Sequence, residues 1–593
     1  MTRRVAILGG GVAGLTAAHE LALRGLEVDV YEKRTGWLAL GGKARSQEAR
    51  TPGGHSLLGE HGYRFFPAFY EGVPDSMRRT PLDAASTDVP RHPHEEVPGN
   101  VFETLRPAEW MAIARAGRPM AVIERDLPEI TDLGSLVRAI TTIFHDVPAW
   151  DLVPIGAKLI HYATRGPAER LRVHEKQSFW DFMDAGRFSA ATRTVLEYTP
   201  KSLVAMKATE GNTRTLMDLF LLMMVEFTRE RPSDLVLPGP TSRAWIAPWS
   251  TWLRKLGVRF HLGVEVERLE LDGARVRRAH ARRDGAPLVI DADQFVLALP
   301  IEVAAPVAER TLEDGCACSE LEMIRDFPID TALGWMVGAQ LFQRTPRELV
   351  QGHIAFGDSA WALSAVSQRQ FWADEHVREL DRAGVGSVWS VIATEWDAAR
   401  FGRPRGIDCD RDTVARQLFE QLAECRDPAG KPLLDLAHLD RELVHLHLDE
   451  ELVFDPTTGR PIVNGARLLV HPPGLWSRRP EAWCDEVDNL YFAGDWVRNP
   501  IDLATMEGAN VAARMAVNEL LSRAGVAPSE ACPVVPDYRR KNEPAFLVAL
   551  QDLNDLRGVP APQPAAAPTK SVPSKSEAEA ELHALAPKIA SSS

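Results

Sequence analysis

Apolar and polar positions at the start of the chain follow a strand, helix, strand pattern. Residues 4–8 form an apolar run, and residues 12–25 repeat apolar positions at helical spacing until Gly25. Residues 26–31 predict a second strand, which ends in Glu32. Helices repeat apolar positions every three or four residues, whereas strands show short runs or strict alternation. The pattern therefore predicts a compact β-α-β unit at the N-terminus.

Further elements are predicted later in the chain. The segment from about 75 to 230 is rich in helix formers and is interrupted by loops that contain proline. From about residue 559, Pro, Ala, Ser and Lys dominate, which predicts a disordered tail. Strands are predicted at 258–275, 294–299, 335–342 and 490–493, and helices at 411–426 and 505–521.

Length, composition and charge limit the classes of function. The 593 residues can form two or three domains, and 45% hydrophobic with 25% charged residues is ordinary globular usage. The net charge of −14 argues against nucleic acid as a partner and gives no support for contact with anionic membrane lipid. The longest apolar run, residues 219–225, is too short to span a bilayer. Because the first strand begins by Arg4, no signal peptide fits, and a cytoplasmic location is expected.

Cysteine usage predicts no metal site. No cysteine belongs to a CxxC pair, and none lies near a histidine at metal-ligand spacing. Reduced, mostly buried thiols are therefore expected. The six cysteines are at positions 316, 318, 409, 425, 484 and 532.

A GxGxxG motif connects the first predicted strand to the first helix. The first glycine permits a tight turn, the second lets the backbone approach a pyrophosphate, and the third lets the helix pack close to the strand. The N–H groups at the helix start attract phosphate, and a carboxylate at the end of the second strand accepts hydrogen bonds from a ribose diol. The motif predicts a dinucleotide but does not separate NAD from FAD. The residues expected to contact it here are Gly9, Gly11, Val12, Ala13, Gly14, Glu32 and Lys33.

A second glycine motif, at residues 41–46 with sequence GGKARS, favours FAD. It resembles the corresponding motif of the amine oxidase and phytoene desaturase flavoprotein superfamily. That family usually has arginine where this chain has Lys43, and lysine keeps the charge but loses the bidentate fork. We expect Arg45 to supply what Lys43 lacks, the alternative being a solvated basic loop. Gly42, Lys43, Ala44 and Arg45 are thus expected at the cofactor.

Other segments resemble plant- and cyanobacterial-type carotene desaturases, in the same order along the chain. In that resemblance, residues 59–70 pass the flavin ring, and Val266 contacts adenine through its backbone. The regions 76–230 and 305–465 match only in outline. The resembling segments are 59–70, 241–266, 291–300, 479–480 and 493–496.

The C-terminal motif resembles the desaturases most closely. Asp495 follows Gly494 at a strand end, where its carboxylate can accept a bond from the ribityl chain or order water at the pyrophosphate. The sequence Met506-Glu507-Gly508-Ala509 occurs in the desaturases and opens a helix that Thr505 can cap. The N–H groups of that helix start would face the flavin edge on which negative charge accumulates. Gly494, Asp495, Met506, Glu507 and Ala509 are expected at the cofactor, unless Glu507 is an ordinary first-turn acid.

The resemblance implies an α/β fold in which a Rossmann-type FAD-binding domain is interleaved with an α+β substrate-binding domain. The FAD-binding domain is expected at 1–75, 235–305 and 465–525. The substrate-binding domain, with a helical part, is expected at 76–234 and 306–464. A C-terminal extension at 526–558 and the tail at 559–593 follow.

The resemblance also implies an FAD-dependent enzyme. We predict removal of two hydrogens from a C–C bond of an apolar small molecule, terpenoid or polyketide-like, with hydride passing to flavin N5. His61, Tyr63 and Arg64 are the candidate catalytic residues, with Gly62 between them, because the family segment passes the flavin there. A packed loop histidine and a structural ion pair are the alternatives for His61 and Arg64. The Met-rich apolar helix at 216–225 either lines an apolar cavity or is buried in a core.

Three alternative functions remain open. An amine or amino-acid oxidase would act on a C–N bond and would need an aromatic cage, for which Trp496 is a candidate wall. A non-redox escort protein of the kind that binds prenylated GTPases would share the fold without flavin chemistry. Flavin-assisted isomerisation or cyclisation would need no net oxidation.

Overall fold

The computed structural model describes residues 4–124, 130–131, 134–135, 147–227, 232–313, 315 and 317–557. The predicted tail at 559–593 lies outside these residues, as does Cys316. Among the described residues, no helix combines the length and the apolar character needed to cross a bilayer.

A five-stranded parallel sheet forms the first layer of the fold. Its strands come from the N-terminal, middle and C-terminal segments predicted to bind the cofactor. The central strands are buried on both faces, as parallel sheets are, and the helices Val12–Ala22 and Met506–Arg523 pack against each other beside them. In spatial order the strands are Arg259–Leu262, Glu27–Glu32, Arg4–Leu8, Gln294–Leu297 and Leu490–Phe492.

The predicted strand at 258–275 is divided into two strands in different sheets. Gly263 has φ +72, a left-handed conformation that breaks the strand. The strand Arg259–Leu262 joins the parallel sheet, whereas Val264–Asp272 begins a three-stranded antiparallel sheet. The other two strands of that sheet are Arg275–Arg283 and Ala286–Ile290.

A seven-stranded sheet forms the second layer. Its neighbouring strands run antiparallel, except for the parallel pair Gly352–Phe356 and Trp110–Ala114. Three central strands are buried along their whole length. In spatial order the strands are Leu443–Leu448, Val337–Gln343, Ser387–Ala393, Leu363–Ser367, Gly352–Phe356, Trp110–Ala114 and Ala121–Glu124.

A helical region completes the fold, and the C-terminal extension packs against it. Gln551 and Asn554 donate side-chain hydrogen bonds of 2.9 Å to the carbonyls of Ala163 and Thr164. The extension is therefore part of the packed structure. The helices of this region are Ala149–Ala163, Pro167–Val173, Phe179–Met183, Ala190–Val204, Thr213–Glu226, Tyr538–Asn542 and Ala545–Arg557.

Shorter elements connect these layers. The other α-helices are Gly72–Arg78, Ala247–Lys255, Ile301–Leu312, Ser319–Arg325, Ile329–Ala332, Asp374–Arg382, Arg411–Glu424 and Leu439–Glu442, and Ser242–Ile246 is a π-helix. The other strands are Ser46–Arg50, Ser56–Glu60, Phe65–Pro67, Arg106–Pro107, Asp234–Val236, Leu333–Gly334, Leu452–Phe454, Pro461–Asn464 and Leu468–Leu469.

His174 is a buried histidine that makes stability depend on pH. The residue is 3% exposed and its ring lies 5.1 Å from those of Tyr162 and Phe182, so burial lowers its pKa from 6.5 to about 4. His174 is therefore protonated below about pH 6.5 in the unfolded chain, but only below about pH 4 in the folded protein. Stability falls as the pH falls through this window. We expect His174→Phe to raise stability by about 2 kcal/mol at about pH 5 and to change it little at about pH 8.

Thermal unfolding of both proteins at the two pH values tests this expectation. Exposed His92 offers a control, since His92→Gln removes a histidine without removing a buried ring. An equal change for His174→Phe at both pH values would contradict the assignment of this pH dependence to His174.

Candidate functional site

One cavity of about 570 Å³ extends from the parallel sheet to the helical region. Its first end is lined by the glycine loop and its second by residues of the seven-stranded sheet and the helix Thr213–Glu226. Predicted site residues that line it are Gly9, Gly11, Val12, Ala13, Glu32, Lys33, Gly42, Lys43, Ala44, His61, Tyr63, Arg64, Val266, Gly494, Asp495, Met506 and Ala509. Those that do not line it are Gly14, Arg45, Gly62 and Glu507.

At the first glycine motif, the backbone of the loop lies in close contact with neighbouring backbone segments. Gly9 has φ +116, and a Cβ there would lie 2.4 Å from the carbonyl oxygen of Ala298. A Cβ on Gly14 would lie 2.0 Å from the carbonyl oxygen of Gly9, so Gly14 serves helix packing and is set back from the cavity. Gly11 faces the cavity and has no heavy atom closer than 3.7 Å to a Cβ position. This bare backbone at a helix start suits a pyrophosphate.

Glu32 is fixed at the same end of the cavity. Its two carboxylate oxygens accept the N–H groups of Gly10 at 3.0 Å and Arg34 at 2.9 Å. Lys33 and Val266 line the cavity beside it. A carboxylate held in this way can still accept hydrogen bonds from a ribose diol.

The second glycine motif packs directly on the first. Gly41 has φ +101 and donates its N–H to the carbonyl of Gly10 at 2.8 Å. A Cβ on Gly42 would lie 2.9 Å from the Cα of Gly11. The two loops thus form one cradle that any larger side chain at Gly42 would obstruct.

The two cations of the second glycine motif, Lys43 and Arg45, lie in different surroundings. Lys43 lines the cavity, where its ammonium pairs with Glu302 at 2.7 Å. Arg45 does not line the cavity, and its guanidinium pairs at 2.9 Å with Glu451, which does line it. Arg34, which the sequence did not single out, pairs with Glu451 at 2.6 Å and does line the cavity.

His61 is held by a buried carboxylate. Its Nδ1 contacts Asp449, which also accepts a 2.6 Å hydrogen bond from Gln47. Burial opposes ionisation of Asp449, but His61 and Gln47 outweigh it and lower the pKa of Asp449 to about 2. The adjacent Gly62 packs behind the cavity wall, where a Cβ would lie 3.0 Å from Ile392.

Arg64 places a buried positive charge at the cavity. Its guanidinium donates to the carbonyls of Lys43 at 3.0 Å and Tyr63 at 3.2 Å. Within the described part of the chain, no carboxylate lies at ion-pair distance from it, so the alternative of a structural ion pair is not observed. Burial lowers the pKa of Arg64. An arginine supplied only with carbonyl partners can stabilise negative charge that develops in the cavity.

Tyr63 belongs to a polar cluster that the sequence did not reveal. Its hydroxyl lies 2.6 Å from the hydroxyl of Ser364 and 2.8 Å from Nε2 of His353. Both partners lie on strands of the seven-stranded sheet and line the cavity. Burial raises the pKa of Tyr63, so its hydroxyl stays protonated. We therefore define the Tyr63 cluster as Tyr63, His353 and Ser364.

The helix Met506–Arg523 begins at the middle of the cavity. Thr505 caps it, since its hydroxyl accepts the N–H of Gly508 at 3.1 Å. Met506 and Ala509 line the cavity together with Trp496, whose indole N–H donates to the carbonyl of Leu299 at 3.0 Å. Trp496 is 1% exposed and serves as a buried wall.

Glu507, which the sequence predicts at the cofactor unless it is an ordinary first-turn acid, does not line the cavity. Its carboxylate accepts the N–H groups of Glu71, Gly72 and Val73 at 2.7–2.8 Å, and also the hydroxyl of Tyr538. It therefore caps the helix Gly72–Arg78 instead.

The second end of the cavity is mainly apolar. Leu219 and Met223 of the Met-rich helix line it, whereas other side chains of that helix are buried in the helical core. Lys201 also lines it, but Glu395 and Glu197 neutralise its ammonium. The apolar wall consists of Phe65, Phe69, Val204, Met206, Leu219, Met223, Met336, Ile392 and Leu503.

Comparisons of sequence relate the N-terminal unit to known proteins. Residues 7–79 match the family described as NAD(P)-binding Rossmann-like domain. A 90-residue segment is 34% identical to carotenoid phi-ring synthase of Streptomyces griseus, and this segment covers 15% of the chain. The match spans 17% of that curated relative. A dinucleotide-binding Rossmann domain is thus present at the N-terminus.

Solved structures share the fold over most of the chain. They include an oxidoreductase from Methanosarcina mazei (TM-score 0.51, 15% identity, 88% of this chain and 100% of that one). Putrescine oxidase bound to putrescine has a TM-score of 0.52 at 15% identity, covering 88% and 99%. Cyclohexylamine oxidase from Brevibacterium oxydans has a TM-score of 0.52 at 12% identity, covering 88% and 99%. The predicted fold class, a Rossmann-type domain with a substrate domain, is confirmed.

Proposed function

We propose that the protein is an FAD-dependent oxidoreductase that removes two hydrogens from a C–C bond of an apolar small molecule. The observation that carries this proposal is the single cavity that joins a dinucleotide cradle to an apolar chamber. A nicotinamide dinucleotide would not account for the C-terminal residues Gly494, Asp495 and Met506 in the cavity lining. A longer flavin nucleotide would contact them. Bound flavin would accept one hydrogen as a hydride and be reduced by two electrons, and the second hydrogen would leave as a proton to solvent.

Different residues of the cavity would contact different parts of FAD. Glu32 would accept the ribose hydroxyls, and the N–H groups of Gly11 to Ala13 would face the pyrophosphate. The helix start at Met506 and the guanidinium of Arg64 would stabilise negative charge on the reduced ring. These donors are already in place, which is what electrostatic stabilisation requires.

The apolar chamber favours an apolar substrate. Side chains such as Phe65, Leu219 and Met223 offer dispersion contacts and exclude water, and methionine adapts to irregular shapes. The charge of Lys201 is neutralised by its own carboxylate partners, so it is poorly suited to binding an anion. The Tyr63 cluster provides a small polar area against which a substrate can be oriented.

A second candidate function is oxidation of an amine at a C–N bond. It is favoured by the shared fold of putrescine oxidase and cyclohexylamine oxidase. The aromatic side chains Tyr63, Tyr70 and Trp496 at the cavity suit a cation.

Anaerobic reduction of the purified holoenzyme tests the proposal. The protein is mixed with long terpenoid hydrocarbons in detergent micelles or with putrescine or cyclohexylamine, and the visible flavin absorbance is followed. We expect bleaching with a hydrocarbon and formation of a product with one more double bond. Bleaching with the amines alone would support the second candidate, and a protein that binds no flavin would contradict both.

Tyr63→Phe is expected to lower kcat/KM about 3- to 10-fold, because it removes the hydroxyl that joins Ser364 to His353. The flavin content should not change. Tyr491→Phe is the matched control: it also removes a buried hydroxyl, which donates to the carbonyl of Asp488 at 3.2 Å outside the cavity. Steady-state kinetics of both variants test this prediction. Equal kcat/KM values for Tyr63→Phe and Tyr491→Phe would exclude a positioning role for Tyr63.

A further inference from the structure

Two cysteines and two glutamates from distant parts of the chain meet outside the cavity. Cys318 and Glu320 lie at the start of the helix Ser319–Arg325, and Cys484 and Glu486 lie in the loop that precedes the strand Leu490–Phe492. Their two sulfurs and two carboxylate oxygens all lie within 4.8 Å of one another. We call these four residues the thiol–carboxylate cluster.

The spacing of the cluster suits a small tetrahedral cation. With Zn–S near 2.3 Å and Zn–O near 2.0 Å, tetrahedral ligands lie about 3.3 to 3.8 Å apart. The sulfur of Cys484 lies 3.2 Å from a carboxylate oxygen of Glu486, and the other ligand atoms are at most 4.8 Å apart. The four ligand atoms thus already lie near the separations that a bound tetrahedral cation requires.

The charges of the cluster are also unbalanced. Among the described residues, no lysine or arginine lies at ion-pair distance from Glu320 or Glu486, and the two carboxylates face each other. The hydroxyl of Ser319 lies 2.9 Å from Glu320 and 3.2 Å from Glu486, but its single proton can serve only one of them. Two carboxylates held this close repel each other, and a bound cation would remove that repulsion.

We propose that the thiol–carboxylate cluster binds one Zn²⁺ through both sulfurs and one oxygen of each carboxylate. Thiolate ligands select zinc over magnesium and calcium, which prefer oxygen alone. The two thiols would release their protons to solvent on binding, and no electron transfer is involved. Cys318 and Cys484 are 1% and 0% exposed, while the exposed Glu486 gives the ion access from solvent.

The zinc is structural, because four protein ligands leave no open coordination position. None of the four residues lines the cavity. The ion would fasten the helix Ser319–Arg325 to the loop before the strand Leu490–Phe492, which leads into the cofactor segment. Arg523 already anchors this loop by donating to the carbonyls of Cys484 at 3.0 Å and Val487 at 3.2 Å.

Metal analysis of the full chain tests the proposal. The protein is purified with reductant and without chelator, loaded with Zn²⁺ and freed of excess metal. Its zinc content is then measured by inductively coupled plasma mass spectrometry. We expect one zinc per chain in the wild type and none in Cys318→Ser or Cys484→Ser. Cys532→Ser, which removes a buried thiol elsewhere, is the matched control and should keep its zinc. Chelation should lower the thermal unfolding midpoint of the wild type without changing the flavin spectrum.

Glu486→Gln keeps the test decisive if the buried cysteine variants fail to fold. Because Glu486 is exposed, this variant should fold, and we expect its zinc affinity to fall about tenfold or more. Reduced wild-type protein that takes up no zinc would overturn the proposal. Zinc content and affinity that are unchanged by Glu486→Gln, Cys318→Ser and Cys484→Ser would overturn it equally.

Discussion

Gly14→Ala should yield a folded protein that has lost its flavin. The added Cβ would lie 2.0 Å from the carbonyl oxygen of Gly9 and 3.3 Å from a methyl group of Ile7, and neither can move without shifting the first strand. Such overpacking lowers stability by about 1–3 kcal/mol. It is relieved when the helix Val12–Ala22 moves away from that strand. The N–H groups that face the pyrophosphate would then be misplaced. The flavin-to-protein absorbance ratio of the purified variant measures the loss.

Gly156→Ala is the matched control for this experiment. Gly156 also lies inside a helix, Ala149–Ala163, but a Cβ there would meet no heavy atom within 4 Å. Alanine in a helix interior is favoured over glycine by about 1 kcal/mol, so this variant should keep its flavin and be at least as stable as the wild type. Full flavin content in Gly14→Ala would contradict the close-packing role of Gly14.

Asp502→Asn should destabilise the protein by about 3–5 kcal/mol and lower its activity. Asp502 is 8% exposed and accepts hydrogen bonds from Arg479, Arg214 and, at 2.8 Å, from the hydroxyl of Thr215. These contacts join the C-terminal cofactor segment to the cavity-lining helix Thr213–Glu226. Asparagine keeps the shape and tolerates the φ of +48. It removes the negative charge and replaces one accepting oxygen with an NH2 donor, which leaves buried Arg479 uncompensated.

The pH dependence of this contribution has a definite sign. Burial opposes ionisation of Asp502, but Arg214, His471 and Arg479 outweigh it and hold its pKa well below the usual range. The stabilisation is therefore present above the unfolded pKa of about 4 and is lost as the pH falls below it.

Thermal unfolding at neutral pH compares Asp502→Asn with a surface control. Asp326→Asn weakens an exposed pair with Arg325 of 2.8 Å, which should contribute little to stability because solvent screens it. If the two variants unfold at the same temperature, the buried network around Asp502 does not hold the two segments together.

Local patterns explain the parts of the fold that the sequence predicts well. The β-α-β unit, the two glycine motifs and the helix at Met506 depend on residues that are neighbours along the chain. Turn geometry and helix capping therefore leave a visible pattern. The break at Gly263 is also local, but an apolar alternation continues across it and concealed the change of sheet.

Contacts between distant segments account for the parts that the sequence did not predict. Glu507 caps a helix whose N-cap residue, Glu71, is 436 positions away, and Arg45 pairs with Glu451 across 406 positions. His353 and Ser364 become site residues only because their strands pass under Tyr63. Cys318 and Cys484 showed no metal-ligand spacing because each contributes to the cluster from a different segment.

If the two ends of the chain jointly hold FAD, the purified protein should carry that nucleotide, and identifying what it carries is the decisive experiment. The purified protein is denatured, and the released nucleotide is identified and counted by mass spectrometry. We expect one FAD per chain. Release of a nicotinamide dinucleotide, or of no nucleotide from protein reconstituted with excess FAD, would contradict it.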